Sequence, residues 1–117
     1  MIRRSIVQSF VFHAAHHLSW HSGRCAQVHG HTYRFEVVVV GELDENGIII
    51  DFDSLVPLVH RVVLERLDHH DLNEIIENPT AELIAEWIFN QLEPAIQGLS
   101  EIRVWETSES AAIFSRS

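Results

Sequence analysis

The chain has 117 residues, of which 46% are apolar, so it is long enough for one folded domain over residues 1–117 and too rich in core-forming side chains for disorder. Its 17 acids outweigh 8 bases, giving a net charge of −9, and a surface of that sign argues against nucleic acid and anionic membrane as partners. All the bases are arginines, which excludes chemistry through a lysine Schiff base, and the single cysteine, Cys25, excludes an intramolecular disulfide. No run approaches the roughly 18 apolar residues of a membrane span, and Met1-Ile2-Arg3-Arg4 opens no secretory h-region. The expected location is the cytoplasm.

In chain order, Arg3–His13 reads as a first strand, carried by Ile6, Val7, Phe10, Val11 and Phe12. His31–Leu43 reads as a second strand ending in the turn Asp44-Glu45-Asn46-Gly47, after which Ile48–Phe52 is expected to return as a third. Asp53 or Ser54 then caps a helix to about Leu67, because Leu55, Leu58, Val59, Val62, Val63 and Leu67 recur at helical spacing. A polar loop over 68–78 precedes a second helix. Asn78 or Thr80 caps it, Pro79 suits its start, and Leu83, Ile84, Trp87, Ile88 and Leu92 form its apolar face. Ser100–Thr107 and Ala111–Arg116 close the chain as a final strand pair.

The principal elements run ββααββ, an α+β fold with an antiparallel sheet carrying two helices on one face. Such a sheet has two open edges, and its second strand carries four consecutive valines, Val37–Val40. Subunits joined edge to edge into a barrel would account for both; a monomer with twisted edges is the plainer alternative.

Nine histidines are unusual in so short a chain, and His13, His16, His17, His21, His29 and His31 crowd one region. In His29-Gly30-His31, positions i and i+2 of a strand project to one side, so both imidazoles can reach one ion. A third histidine from the end of the first strand would make a three-His site, the arrangement of a catalytic zinc with an open position. Spacing leaves His16 and His17 as equal candidates for that third ligand. His13, His21 and His60 read as ordinary surface histidines.

Five segments, taken in order, resemble one family: Phe12-His13-Ala14-Ala15-His16, Cys25-Ala26-Gln27-Val28-His29-Gly30-His31, Leu67-Asp68-His69-His70-Asp71-Leu72-Asn73, Asn78-Pro79-Thr80-Ala81-Glu82 and Trp105-Glu106-Thr107. It is the 6-pyruvoyltetrahydropterin synthase family, including the 6-carboxytetrahydropterin synthases of queuosine biosynthesis. The resemblance implies the tunnelling fold, assembled as a homohexamer of two stacked trimers whose sheets form barrels. It implies Zn(2+) held by His16, His29 and His31, which chooses His16 over His17.

The same resemblance implies Cys25 as the catalytic thiol, with Asp68 and His69 as an acid–base pair contributed by a neighbouring subunit. The three residues between Cys25 and His29 look like the carboxy-forming branch, and Cys25 argues against a sister group that carries Glu near this position. The implied substrate is 7,8-dihydroneopterin triphosphate. Glu106 would accept the adjacent N–H donors of the pterin edge. Thr80, and with it Glu82, would hydrogen-bond at the second helix's start, where helix capping is the rival role. Arg24 is the arginine best placed for the triphosphate.

Overall fold

The computed structural model describes residues 1–116 and contains one four-stranded antiparallel sheet in the order β1-β2-β3-β4: β1 Ser5–His16, β2 His29–Val40, β3 Leu99–Trp105 and β4 Ala111–Ser115. Both long helices lie between β2 and β3 in sequence. The second, Ala81–Leu92, packs against β3 and β4. The first occupies residues 52–67, α-helical over Phe52–Val59, π-helical over His60–Leu64 and α-helical again over Glu65–Leu67.

Alternation along the strands decides which sheet face the helices cover. Phe10, Phe12, Ala14 and His16 of β1 are buried together with Tyr33, Phe35, Val37 and Val39 of β2. Across from them sit Leu55, Val59, Val63 and Leu67 of the first helix and Ile84, Ile88 and Leu92 of the second. At about 25 cal/mol per Å² of apolar surface removed from water, this shared core is the main favourable term of the fold.

Three local expectations are corrected. Ile48–Phe52 is not a strand. Asp44 closes its turn tightly, with Oδ1 accepting from the Asn46 and Ile48 N–H groups, and the chain then drops Ile49 and Ile50 onto the core rather than running back along β2. β2 ends at Val40, not Leu43, because its last N–H donates to Gly98 at 2.9 Å and the chain turns away. The first helix starts at Phe52 under Asp51, whose Oδ1 accepts from the Asp53 N–H at 2.8 Å; neither Asp53 nor Ser54 is the cap.

Val38, on the face away from the helices, is already 5% exposed within the single chain. That open face keeps Val7, Val11 and Ile113 in solvent, crossed by an Arg34–Trp105–Glu36–Arg103 network. Among the described residues no helix is long and apolar enough to cross a membrane.

One glycine is required where the chain re-enters the sheet. Gly98 sits at φ +85°, and a Cβ there would stand 2.2 Å from the Val40 carbonyl oxygen. Replacing Gly98 by Ala is therefore expected to cost at least about 2 kcal/mol, from left-handed strain plus the clash, read as a lowered urea midpoint at unchanged slope.

Candidate metal centre and its cleft

The strand register builds the site. His16 is the direct partner of His29, and Ala14 that of His31, so His16, His29 and His31 share one face at the end of the β1–β2 pair. This end projects past β3, whose pairing with β2 begins only at Arg34 and Trp105. Glu106 follows directly after β3 and reaches back toward the histidines, its N–H tied to the Ser110 carbonyl at 3.3 Å. One donor atom from each of His16, His29, His31 and Glu106 falls within 4.8 Å of all the others, so the four can hold a metal ion. His17 is outside the group, its N–H and carbonyl held instead by Asn73.

Two of the rings are aimed by backbone carbonyls. His16 Nδ1 lies 2.8 Å from the Pro79 oxygen and His29 Nδ1 lies 2.7 Å from the Gln27 oxygen. A carbonyl only accepts, so each Nδ1 carries the proton and each Nε2 presents a lone pair, the tautomer a metal needs. The Nε2 atoms of His16, His29 and His31 are buried and form no hydrogen bond to any described residue. Buried polar atoms are rarely left so, and three converging on one point fit a cation. Burial holds the His31 imidazole below its ordinary value, against the opposing pull of Glu106, and so favours the neutral ligand form.

The other expected residues divide into two groups. Cys25 and Arg24 sit in a short 3-10 turn, Arg24–Ala26, and line a cleft of about 620 Å³ with Gln27, Val28, His29 and His31. A depression of about 700 Å³ lies at the opposite end of the sheet, between Arg3–Ile6 and Ile48–Phe52, and holds no histidine or cysteine. Thr80 is the cap of the second helix, its Oγ1 accepting from the Leu83 N–H at 3.2 Å, so capping accounts for its hydroxyl within this chain. Glu82 is exposed in that helix's first turn.

Asp68 Oδ2 and His69 Nδ1 lie 3.0 Å apart, but the two residues line neither the cleft nor the metal group. They are stapled to β1 through the backbone of His13: its N–H donates to Asp68 Oδ1 at 2.9 Å, and its carbonyl accepts from the His69 N–H at 2.6 Å. His69 is held at φ 60°, the one left-handed non-glycine residue described. Strain of this kind, about 1–3 kcal/mol, persists where the surroundings enforce it and is typical of functional positions.

The Asp68 carboxyl is held below the ordinary carboxylate value, first by the His13 N–H and, against desolvation, by His69. A depressed folded value stabilises the fold above the unfolded value, about 3.9, and is lost as the pH falls through the folded one. Thermal melts of an Asp68→Asn variant are accordingly expected to show a flatter loss of stability below pH 4 than wild type.

Sequence reasoning missed the carbonyls of Gln27 and Pro79, which carry no side-chain signal. It also passed over Tyr33, two residues beyond His31 on the same strand face. Its hydroxyl is buried without a partner, and burial, aided by Glu106, pushes the phenol upward from its usual range.

The family described as 6-pyruvoyl tetrahydropterin synthase matches this chain over residues 5–117. The chain belongs to that family. A relative from Synechocystis, named 6-carboxy-5,6,7,8-tetrahydropterin synthase, is 41% identical over 92% of this chain and 89% of its own length. The protein of the same name from Haemophilus influenzae is 35% identical over 90% of this chain and 94% of its own length. A Pyrococcus furiosus relative named dihydroneopterin monophosphate aldolase is 43% identical over 71% of this chain and 74% of its own. Among solved structures, the 6-pyruvoyl tetrahydropterin synthase of Caenorhabditis elegans superposes with a TM-score of 0.88 over 100% of this chain and 98% of that one, at 25% identity. The family fold thus agrees with the ββααββ order expected from the sequence.

Proposed function

We propose that this chain is a zinc-dependent 6-carboxy-5,6,7,8-tetrahydropterin synthase, a cytoplasmic lyase acting in queuosine or a related 7-deazaguanine pathway. Its reaction converts 7,8-dihydroneopterin triphosphate and water to 6-carboxy-5,6,7,8-tetrahydropterin, acetaldehyde and triphosphate. The observation that carries this reading is the convergence of three unpartnered imidazole Nε2 atoms beside a cleft that also contains Cys25. The carboxy-forming names of the relatives support the choice of product.

His16, His29 and His31 would hold the metal, which when bound polarises side-chain hydroxyls and acidifies the neighbouring C–H bonds. The chain's own residues do the rest. Glu106 accepts from the pterin edge and fixes the ring, and Arg24 at the cleft mouth offers charge to the triphosphate. The Cys25 thiolate takes a proton from a side-chain carbon. Asp68 orients the His69 imidazole, which carries protons to and from the substrate. Triphosphate leaves as an anion, the ring gains the hydrogens that the side chain gives up, and water adds at the first side-chain carbon, whose retro-aldol-type cleavage leaves the carboxylate and releases acetaldehyde, so no external oxidant or reductant is consumed.

Asp68 and His69 are not among the residues that line the cleft, which supports a site shared between subunits of a homohexamer. The elongated form supports it too: the radius of gyration is 15.2 Å, against about 13 Å for a compact chain of this length. A second reading has its own support in the Pyrococcus furiosus aldolase relative. An aldolase on the monophosphate would cleave between the first two side-chain carbons without eliminating phosphate.

One assay separates these readings. The purified protein is incubated with dihydroneopterin triphosphate or monophosphate, with and without a chelator, and products are read by mass spectrometry. Carboxytetrahydropterin with acetaldehyde, lost on chelation, is expected. A pyruvoyl product would make it a pyruvoyl-forming synthase. Hydroxymethyl-dihydropterin with glycolaldehyde phosphate would make it an aldolase, and unchanged substrate on metal-loaded protein would make it a pterin- or zinc-binding paralogue.

A further inference from the structure

The donor cluster contains one group more than a three-ligand site needs. Glu106 Oε1 lies 3.3 Å from His16 Nε2 and 3.1 Å from His31 Nε2, its side chain 30% exposed and His16 wholly buried. Neither contact has the geometry of a hydrogen bond, since both nitrogens are without a partner. A neutral His16 ring places its proton on Nδ1 toward the Pro79 carbonyl, so its Nε2 lone pair faces a carboxylate oxygen. Two lone pairs at that distance repel unless a cation lies between them. Ligands about 2.0–2.1 Å from a tetrahedral zinc stand about 3.3–3.5 Å from one another, close to the spacing seen here.

We propose that Glu106 is a fourth, displaceable metal ligand, which closes the coordination shell while the pterin site is empty and leaves it when a pterin ring arrives. The proposal rests on the metal and pterin reading above and adds a gate to it. Two adjacent N–H donors on the ring require both carboxylate oxygens, and one of them is turned onto the imidazoles. The ring therefore draws Oε1 away, and the open position that catalysis needs appears only with substrate in place. Between turnovers the ion is shielded from stray ligands. Glu106 lies just past the end of β3, where among the described residues its backbone is tied only through its N–H to the Ser110 carbonyl, a position that allows the exchange.

The test uses the full-length protein loaded with Co(II), whose visible bands are intense when four-coordinate and weak when five- or six-coordinate. Wild type is expected to show intense bands at rest. Saturating neopterin, followed by its own fluorescence, is expected to shift the bands while keeping four-coordinate intensity, as one ligand replaces another. Glu106→Ala is expected to bind Co(II) at least about tenfold more weakly and to change the resting spectrum, with Glu106→Gln between the two. Circular dichroism and gel filtration of both variants report whether the fold survives, and Glu106→Gln keeps the side chain's size if the alanine variant does not.

His29→Ala distinguishes loss of the three-His site from loss of the fourth ligand. If it keeps the wild-type spectrum, the three-His reading falls, and this proposal with it. If His29→Ala loses the metal while both Glu106 variants match wild type in spectrum and affinity, the fourth ligand is overturned and the three-His site stands. Bound neopterin with an unchanged spectrum, or with collapsed intensity, overturns the exchange.

Discussion

Replacing Cys25 by Ala is expected to lower turnover by about 10²–10⁴-fold while metal content stays at the wild-type level. The two readouts part because the structure separates thiol and ligands. Cys25 sits in the 3-10 turn Arg24–Ala26 and shares the cleft with His29 and His31, yet it is not one of the four residues whose donor atoms converge. The turn is held by backbone bonds, Ala26 N–H to the Gly23 carbonyl and Leu18 N–H to the Cys25 carbonyl at 2.7 Å, so losing the side chain leaves the cleft standing. Metal analysis beside a turnover assay decides the matter. Loss of both together would make Cys25 a ligand, not a base.

The second large effect concerns assembly. Cys25→Ala and His69→Ala proteins, each inactive alone, are expected to recover activity when unfolded together and refolded as mixed oligomers. If thiol and imidazole meet across a subunit boundary, random mixing leaves about a quarter of the sites with both groups intact. The geometry behind this is the staple of Asp68 and His69 onto the His13 backbone, which holds the pair outside the cleft of its own chain. No recovery on mixing, with mixed oligomers verified by mass spectrometry, would return both groups to one subunit.

How much of this was readable beforehand follows from how local each cause is. Strand alternation in His29-Gly30-His31 and helical spacing from Leu55 to Leu67 are properties of a few neighbouring side chains, and both led to the observed elements. Ile48–Phe52 misled because three isoleucines carry strand propensity, whereas the closed turn at Asp44 and the cap at Asp51 commit the segment to other geometry. Choosing between His16 and His17 needed the register of β1 on β2, a long-range fact, and only the family resemblance supplied it in advance. The place of Glu106 against His16 and His31 depends on how the chain leaves β3, to which spacing is blind.

The bond from His16 to the Pro79 carbonyl has a consequence for how long an ion stays bound. Pro79 immediately precedes Thr80, the cap of the second helix, and the Thr80 carbonyl accepts the Ile84 N–H at 2.8 Å. The first turn of that helix and the aim of one candidate ligand ring therefore share a single stretch of backbone. When the turn frays, the His16 ring loses its support, so the residence of an ion held there would be tied to a local opening far cheaper than global unfolding. Amide exchange at Ile84 and the rate of metal loss to a chelator should then rise and fall together across variants of the cap, making helix fraying the clock of the metal centre.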